Sequence, residues 1–247
     1  FLGSESLEDV YTFNDFSNTI VEPEHTPHLV TEYNGHMFPT KPWDHDGRRA
    51  EHAIRHLRVQ DRARAMGGVS GAIGWCAFDY DTHKEFGAGD RICYHGVMDI
   101  FRLPKYAMYA YTTQLADPRV KPVLKIACNW KPGDYNEGRT IQPITVLTNC
   151  DYVEAYVGGR LQGKFSPDKD DFPFLPHPPI KLHDLEIRLA FPWGDLRVVG
   201  YVDGAAVVEQ SIDADGVPAR LELSVDDSEL RADGSDMTRV IFKIVDK

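Results

Sequence analysis

Glu32 closes the run His28-Leu29-Val30-Thr31-Glu32, which reads as a buried strand ending in a carboxylate. The residues after it, from Tyr33 through His36 and Lys41 to Pro42, read as a loop. In a (β/α)8 barrel, active sites are built at the C-terminal ends of the parallel strands. A carboxylate placed there can act as a nucleophile or carry a proton. On position alone a solvated strand terminus is the commoner role. The apolar run before Glu32, the glycine at 35 and the aromatic neighbours weigh toward chemistry.

A second informative stretch runs from Gly71 to Tyr80 and on through Gly89-Asp90-Arg91-Ile92-Cys93-Tyr94-His95 to Asp99. Trp75 ends the strand reading Ser70–Trp75. There it can floor a sugar site, because the C–H faces of a pyranose pack on aromatic rings; a core tryptophan fits the sequence equally well. His52 and His56 have the i, i+4 spacing of a helical metal pair. The apolar face of their helix is set by Ala50, Ala53, Ile54 and Leu57, which places both histidines toward solvent beside Arg55 and Arg58. No third ligand is in reach, so no metal is expected. Gly87-Ala88-Gly89 has no following helix and no lysine suited to phosphate, so no nucleotide cofactor is expected either.

The elements that must position these residues change character along the chain. Asp9–Phe13 and His28–Glu32 read as strands. Asp44 or Asp46 reads as the cap of a helix that ends at Gly67-Gly68. A helix with Pro104 in its first turn runs to about Leu115. Strand and helix in alternation are the pattern of a parallel α/β fold. After Asp117-Pro118 the period becomes two: Leu124, Ile126, Cys128 and Trp130 alternate with Lys125, Ala127 and Asn129, as in a half-buried strand. Further strands are expected at 144–148, 152–157, 185–189, 196–202 and 206–212, with hairpin turns at Gly158-Gly159 and Asp203-Gly204. Phe172–Pro179 is too rich in proline to be a strand. Together these predict a β-sandwich. Near Val217 a new unit opens, with strands at 219–225 and 239–244 around the turn Ala232-Asp233-Gly234.

Composition sets outer bounds. The 247 residues suffice for one large or two ordinary domains, and 42% hydrophobic with 26% charged residues fits a folded chain. The formal charge of −11 repels phosphate backbones, so nucleic acid is not an expected partner. No apolar run approaches a membrane span, and Phe1-Leu2-Gly3-Ser4 lacks the pattern of a signal peptide. Cys76, Cys93, Cys128 and Cys150 show no metal spacing; free, buried thiols are expected, with a Cys128–Cys150 disulfide as the alternative.

Three runs make the sequence resemble a known family. Thr31-Glu32-Tyr33-Asn34-Gly35-His36-Met37-Phe38-Pro39-Thr40-Lys41, Gly71 to Tyr80, and Gly89 to Asp99 are together similar to glycoside hydrolase family 2, particularly its β-galactosidase-like members. The resemblance implies that residues 1–117 are the C-terminal part of a (β/α)8 TIM barrel. It makes 118–216 an immunoglobulin-like β-sandwich and 217–247 the start of a further, truncated β domain. It makes Glu32 the nucleophile at the end of the seventh barrel strand and Trp75 a lining residue at the end of the eighth. Asn14 and Asp15 fall where the family supplies a residue near the nucleophile, although the usual tyrosine is not matched. His36, Lys41, Asp79, Asp90 and His95 are loop residues on the same face, positioned to meet substrate hydroxyls.

Retaining hydrolysis also needs an acid/base, which the family takes from an Asn-Glu pair after its fourth strand. Here the barrel is expected to begin near its sixth. The sole such dipeptide, Asn136-Glu137, falls in a turn of the sandwich. The expected partners are therefore a carbohydrate substrate and the missing N-terminal part of the same enzyme. A uronic acid substrate would call for a cationic clamp, which Lys41 alone could supply. The competing reading, from another class, is a non-catalytic carbohydrate-binding or scaffolding sandwich.

Overall fold

The computed structural model describes residues 9–34, 38–84, 89–130, 143–185, 194–214 and 218–245. Strands β1 (Tyr11–Asn14), β2 (His28–Tyr33) and β3 (Val69–Gly74) form a parallel sheet in the order β1-β2-β3. Helix α1 (Asp46–Ala65) joins β2 to β3. After β3 the chain makes the short antiparallel pair β4 (Tyr80–Asp81) and β5 (Ile92–Cys93), then helix α2 (Tyr106–Leu115). No barrel closes among the described residues.

Helix α1 differs from expectation at both its cap and its histidines. His45 is the N-cap, its ring accepting from the Gly47 N–H at 3.1 Å. Asp44 instead accepts from the Lys41 N–H and pairs with Arg48, and Asp46 accepts from the Asn129 N–H and pairs with Arg49, so neither caps the helix. His52 and His56 are buried rather than solvated. The helix carries two apolar stripes: Ala53, Ile54 and Leu57 meet α2, whereas His52, His56, Val59 and Ala63 lie at i, i+4, i+7 and i+11 facing the sheet side. A helix covered on two sides hides its second stripe in polar letters.

Those letters form a buried chain of hydrogen bonds. The Tyr111 hydroxyl is 2.6 Å from the Tyr33 hydroxyl and 2.7 Å from His56 Nδ1, and His56 Nε2 is 3.3 Å from His52 Nε2. Burial holds the His56 imidazole down to about 3, and His52 well below its ordinary value. Burial thus disfavours the charged form of both rings.

The second half is antiparallel. Sheet β10-β7-β6 comprises β6 (Leu124–Ile126), β7 (Ile144–Thr148) and β10 (Ile180–Leu182). Sheet β12-β11-β8-β9 comprises β8 (Tyr152–Val157), β9 (Arg160–Phe165), β11 (Leu196–Val202) and β12 (Ala205–Ile212). The two sheets share one core, in which Ile126, Ile144, Val146, Ile180 and Leu182 meet Val153, Ala155, Leu196 and Val198. Gly158-Gly159 and Asp203-Gly204 turn the two hairpins with positive φ at every position, as expected.

The stretch 124–130 departs from a half-buried strand. The regular ladder ends at Ile126, and one residue of the second side is covered: Cys128 and Trp130 enter the sandwich core while Ala127 joins the cluster under α1 and α2 and Asn129 stays exposed. Strand β10 directly follows the proline-rich loop and lies outside the expected strands; the expected strand 185–189 falls largely outside the described residues, as does Asn136-Glu137. The four cysteines are free thiols, so the disulfide alternative is excluded.

The two halves share a core. Leu147, Phe172 and Leu175 of the sandwich pack with Ile54, Leu57, Tyr106 and Ala107 of the helices. Polar bonds reinforce it: Asp61 accepts from the N–H groups of Phe174 and Leu175, Gln114 bonds His177, and buried Asn149 donates to the carbonyls of Ala116 and Lys121. Beyond them, β13 (Arg220–Val225) and β14 (Val240–Val245) form a two-stranded antiparallel ribbon.

The histidine burial has a pH consequence. An unfolded chain protonates its histidines below about pH 6.5, while the folded chain keeps His56 neutral down to about 3, so stability is lost as pH falls through this window. Urea unfolding of the chain should show a loss of about 2 kcal/mol from His56 between pH 6.5 and 5, with His52 adding in the same direction. His56→Asn should give a shallower profile; an unchanged slope would refute the assignment.

Candidate active site

The C-terminal end of β2 carries a register shift that decides which side chains face which way. Phe13 pairs with Val30 but Asn14 pairs with Glu32, so β2 contributes one residue more than β1. Val30 and Tyr33, three apart, both enter the core beneath α1. Thr31 and Glu32 between them turn to the opposite side, breaking the period of two. Such bulges re-aim side chains and are common beside active sites.

On that side Asn14 joins the two. Its Nδ2 donates to Glu32 Oε2 at 3.0 Å, while its Oδ1 accepts from the Thr31 hydroxyl at 2.8 Å. One carboxylate oxygen is thus held by an amide whose own orientation is fixed. Glu32 is half-buried, and no second carboxylate bonds it among the described residues. Asp15 takes a different part. It is buried and accepts from Ser17 and from the Val21 N–H, which folds the loop after β1 and holds its carboxyl below the usual range against the effect of burial.

Tyr33, directly after Glu32, is pinned from behind by Tyr111, and its carbonyl accepts from the Trp75 N–H at 3.0 Å. The ends of β2 and β3 are thereby locked together. Gly74 lies where a Cβ would stand 2.1 Å from the Tyr111 hydroxyl, so the buried chain and the strand end interlock. Trp75 is 41% exposed, which removes the core-tryptophan reading. Its Nε1 lies 3.3 Å from the Tyr80 hydroxyl, and the two rings meet edge to face at 6.1 Å. A cis peptide links Trp75 to Cys76.

The remaining expected residues divide. His36 lies outside the described residues. Lys41 Nζ sits over the rings of Tyr94 at 4.9 Å and Trp43 at 5.7 Å. Asp90 is exposed and accepts from the Tyr94 hydroxyl. His95 is buried against Tyr80. Asp79 is buried beneath the loops instead of lining an open face. Its Oδ1 accepts from Lys105 Nζ at 2.6 Å and from the Gly96 N–H at 2.9 Å. Burial pushes the Asp79 carboxyl up and the Lys105 ammonium down, and each partly offsets the other. Lys105 also donates to the Thr40 carbonyl at 2.7 Å, joining the loop after β2 to the loop after β3. This lysine had no signal in sequence: it stands at a helix start, where a basic residue has no dipole reason to be.

The chain is 43% identical to a β-galactosidase of Thermoanaerobacterium thermosulfurigenes over 99% of its length and 36% of that protein's. It is 36% identical to a β-galactosidase of Rhizobium meliloti, again over 99% of this chain and 36% of the relative. By sequence this chain is β-galactosidase-like. It spans about a third of the length of these curated relatives. Among solved structures, a β-glucuronidase from glycoside hydrolase family 2 superimposes on 98% of this chain and 26% of its own, with a TM-score of 0.68 at 23% identity. Residues 139–208 match a family model described as a domain of unknown function, DUF4982.

The buried ion pair of this β-galactosidase-like chain carries a stability consequence. Removing one partner of such a pair strands the other charge out of water, at a cost of about 3–5 kcal/mol. Lys105→Met should lower the denaturation midpoint accordingly, and adding Asp79→Leu should recover part of the loss. A single variant as stable as the parent would mean that Asp79 does not depend on this lysine.

Proposed function

We propose that this chain carries the nucleophile side of a retaining, exo-acting β-galactosidase, with Glu32 as the nucleophile. The observation that carries this reading is the Asn14–Glu32 hydrogen bond at the adjoining ends of two parallel strands. An amide donor on Oε2 stabilises the ionised carboxylate and leaves Oε1 to attack the anomeric carbon. The glycosidic C–O bond breaks as the carboxylate bond forms, giving a covalent glycosyl-enzyme that water then hydrolyses. Trp75 lines the sugar subsite, its ring supporting the C–H face of the pyranose and the positive charge that develops there. Lys41 is placed to meet hydroxyls from the rim. Asp79 serves from beneath by holding the loop.

In this reading residues 1–117 are the last units of a (β/α)8 catalytic barrel, 118–216 an immunoglobulin-like sandwich and 217–247 the opening of a further β domain. The leaving-group oxygen needs a second carboxyl roughly 5–5.5 Å from the nucleophile. That acid/base comes from a part of the enzyme outside these residues, so the chain alone is expected to hydrolyse β-galactosides far more slowly than the complete enzyme.

The test uses the complete enzyme that contains this chain. Treated with a 2-deoxy-2-fluoro galactosyl fluoride, it should become labelled on Glu32, as read by peptide mass spectrometry, and Glu32→Gln should abolish the label. Asn14→Ala should lower kcat by up to about a hundredfold, the scale for misplacing a reacting group by about 1 Å, because Glu32 loses the amide that fixes its aim. Trp75→Ala should mainly slow labelling. A label on another carboxylate overturns the assignment.

A further inference from the structure

Trp43 is 67% exposed, an unusual position for an indole on a surface otherwise rich in charge. It lies in the loop between β2 and α1, the loop that begins directly after Glu32 and Tyr33. Its ring is not loose. It meets the Tyr94 ring edge to face at 5.7 Å, and Lys41 Nζ lies within reach of both ring faces. The Tyr94 hydroxyl is in turn held by Asp90, and the Tyr94 carbonyl accepts from the Thr40 N–H at 2.8 Å. An exposed tryptophan is thus braced from one side by three residues of two loops.

The brace runs back to the site. Trp75 packs edge-on against Tyr80, Tyr80 packs edge-on against His95 at 6.4 Å, and His95 adjoins Tyr94 in sequence. The Cys76 N–H also donates to the His95 carbonyl at 3.4 Å, so Trp75 and Trp43 belong to loops bonded together beyond β2 and β3, an aromatic rim. With two thirds of its surface exposed, the indole keeps area for a ligand. Lys41 and Asp90 beside it offer a donor and an acceptor for equatorial hydroxyls. Flat aromatic surface flanked by such groups is the chemistry that holds a neutral pyranose.

We propose that Trp43, flanked by Lys41 and Asp90, forms the subsite for the leaving-group pyranose of a β-galactosyl disaccharide. The inference rests on the reading of Glu32 as the nucleophile, since that fixes which bond is cleaved. Trp75 then serves the sugar that is attacked and Trp43 the sugar that departs.

Two substrates separate these roles in the complete enzyme. Lactose has a pyranose leaving group, and methyl β-galactoside has none. Trp43→Ala should lower the ratio of kcat/KM for lactose to kcat/KM for methyl β-galactoside about tenfold, mostly through a higher KM for lactose. Trp43→Phe, which keeps a stacking face, should recover most of that ratio and guards against a misfolded alanine variant. A ratio unchanged in Trp43→Ala, or one that falls equally in both variants, overturns the subsite. Turnover that survives Glu32→Gln overturns instead the reading of the nucleophile, whatever Trp43 does.

Discussion

The ammonium of Lys105 is the point on which the loops around the site converge. It is buried at the start of α2 and bonds the Asp79 carboxylate of one loop and the Thr40 carbonyl of another. Taking both charges out of water costs several kcal/mol before their attraction offsets it. An apolar pair could fill the same space, but it would not fix the angle of two irregular loops. Asp79 also accepts from the Gly96 N–H, at a place where a Cβ would stand 2.2 Å from the Asp79 nitrogen. Backbone that close leaves the loop one conformation. The aromatic rim above it inherits that rigidity.

Support for the strand ends comes from a longer path. Helix α1 is covered by the sheet on one stripe and by α2 on another, and at each end a carboxylate bonds the sandwich, Asp46 to Asn129 and Asp61 to Phe174 and Leu175. The Tyr33–Tyr111–His56 chain lies between that helix and the end of β2. The Glu32 carboxylate is therefore held by packing that extends to residues more than a hundred positions away. Precise sites are built on elements whose own neighbours are fixed.

Sequence disclosed the chain's punctuation better than its contacts. The two glycine hairpins, the end of α1 at Gly67-Gly68 and the strands flanking Glu32 were legible because turns and periods are local properties. The burial of His52 and His56 was not, since a stripe of polar letters looks solvated until the partner that satisfies it, Tyr111, is brought from another helix. Ala127 was misread for a related reason: alternation describes a strand with one wet face, and here a second core covers the other. Asn14 was placed near Glu32 by resemblance, but the bulge that aims Glu32 at it depends on pairing between strands. Asp79 looked like an open loop carboxylate because nothing local in the sequence ties it to Lys105, 26 positions on.

The β13–β14 ribbon bears on how the chain behaves as a colloid. Leu221, Leu223 and Val225 stand directly across from Ile244, Phe242 and Val240, so six apolar side chains share one face, and all six are exposed. Surfaces of this kind attract each other at short range. The net charge of −11 opposes such encounters at long range. Salt changes only the second force, because the screening length shrinks from about 30 Å at 0.01 M to about 3 Å at 1 M. Between two copies of this chain, charge thus opposes contact of these faces and added salt favours it.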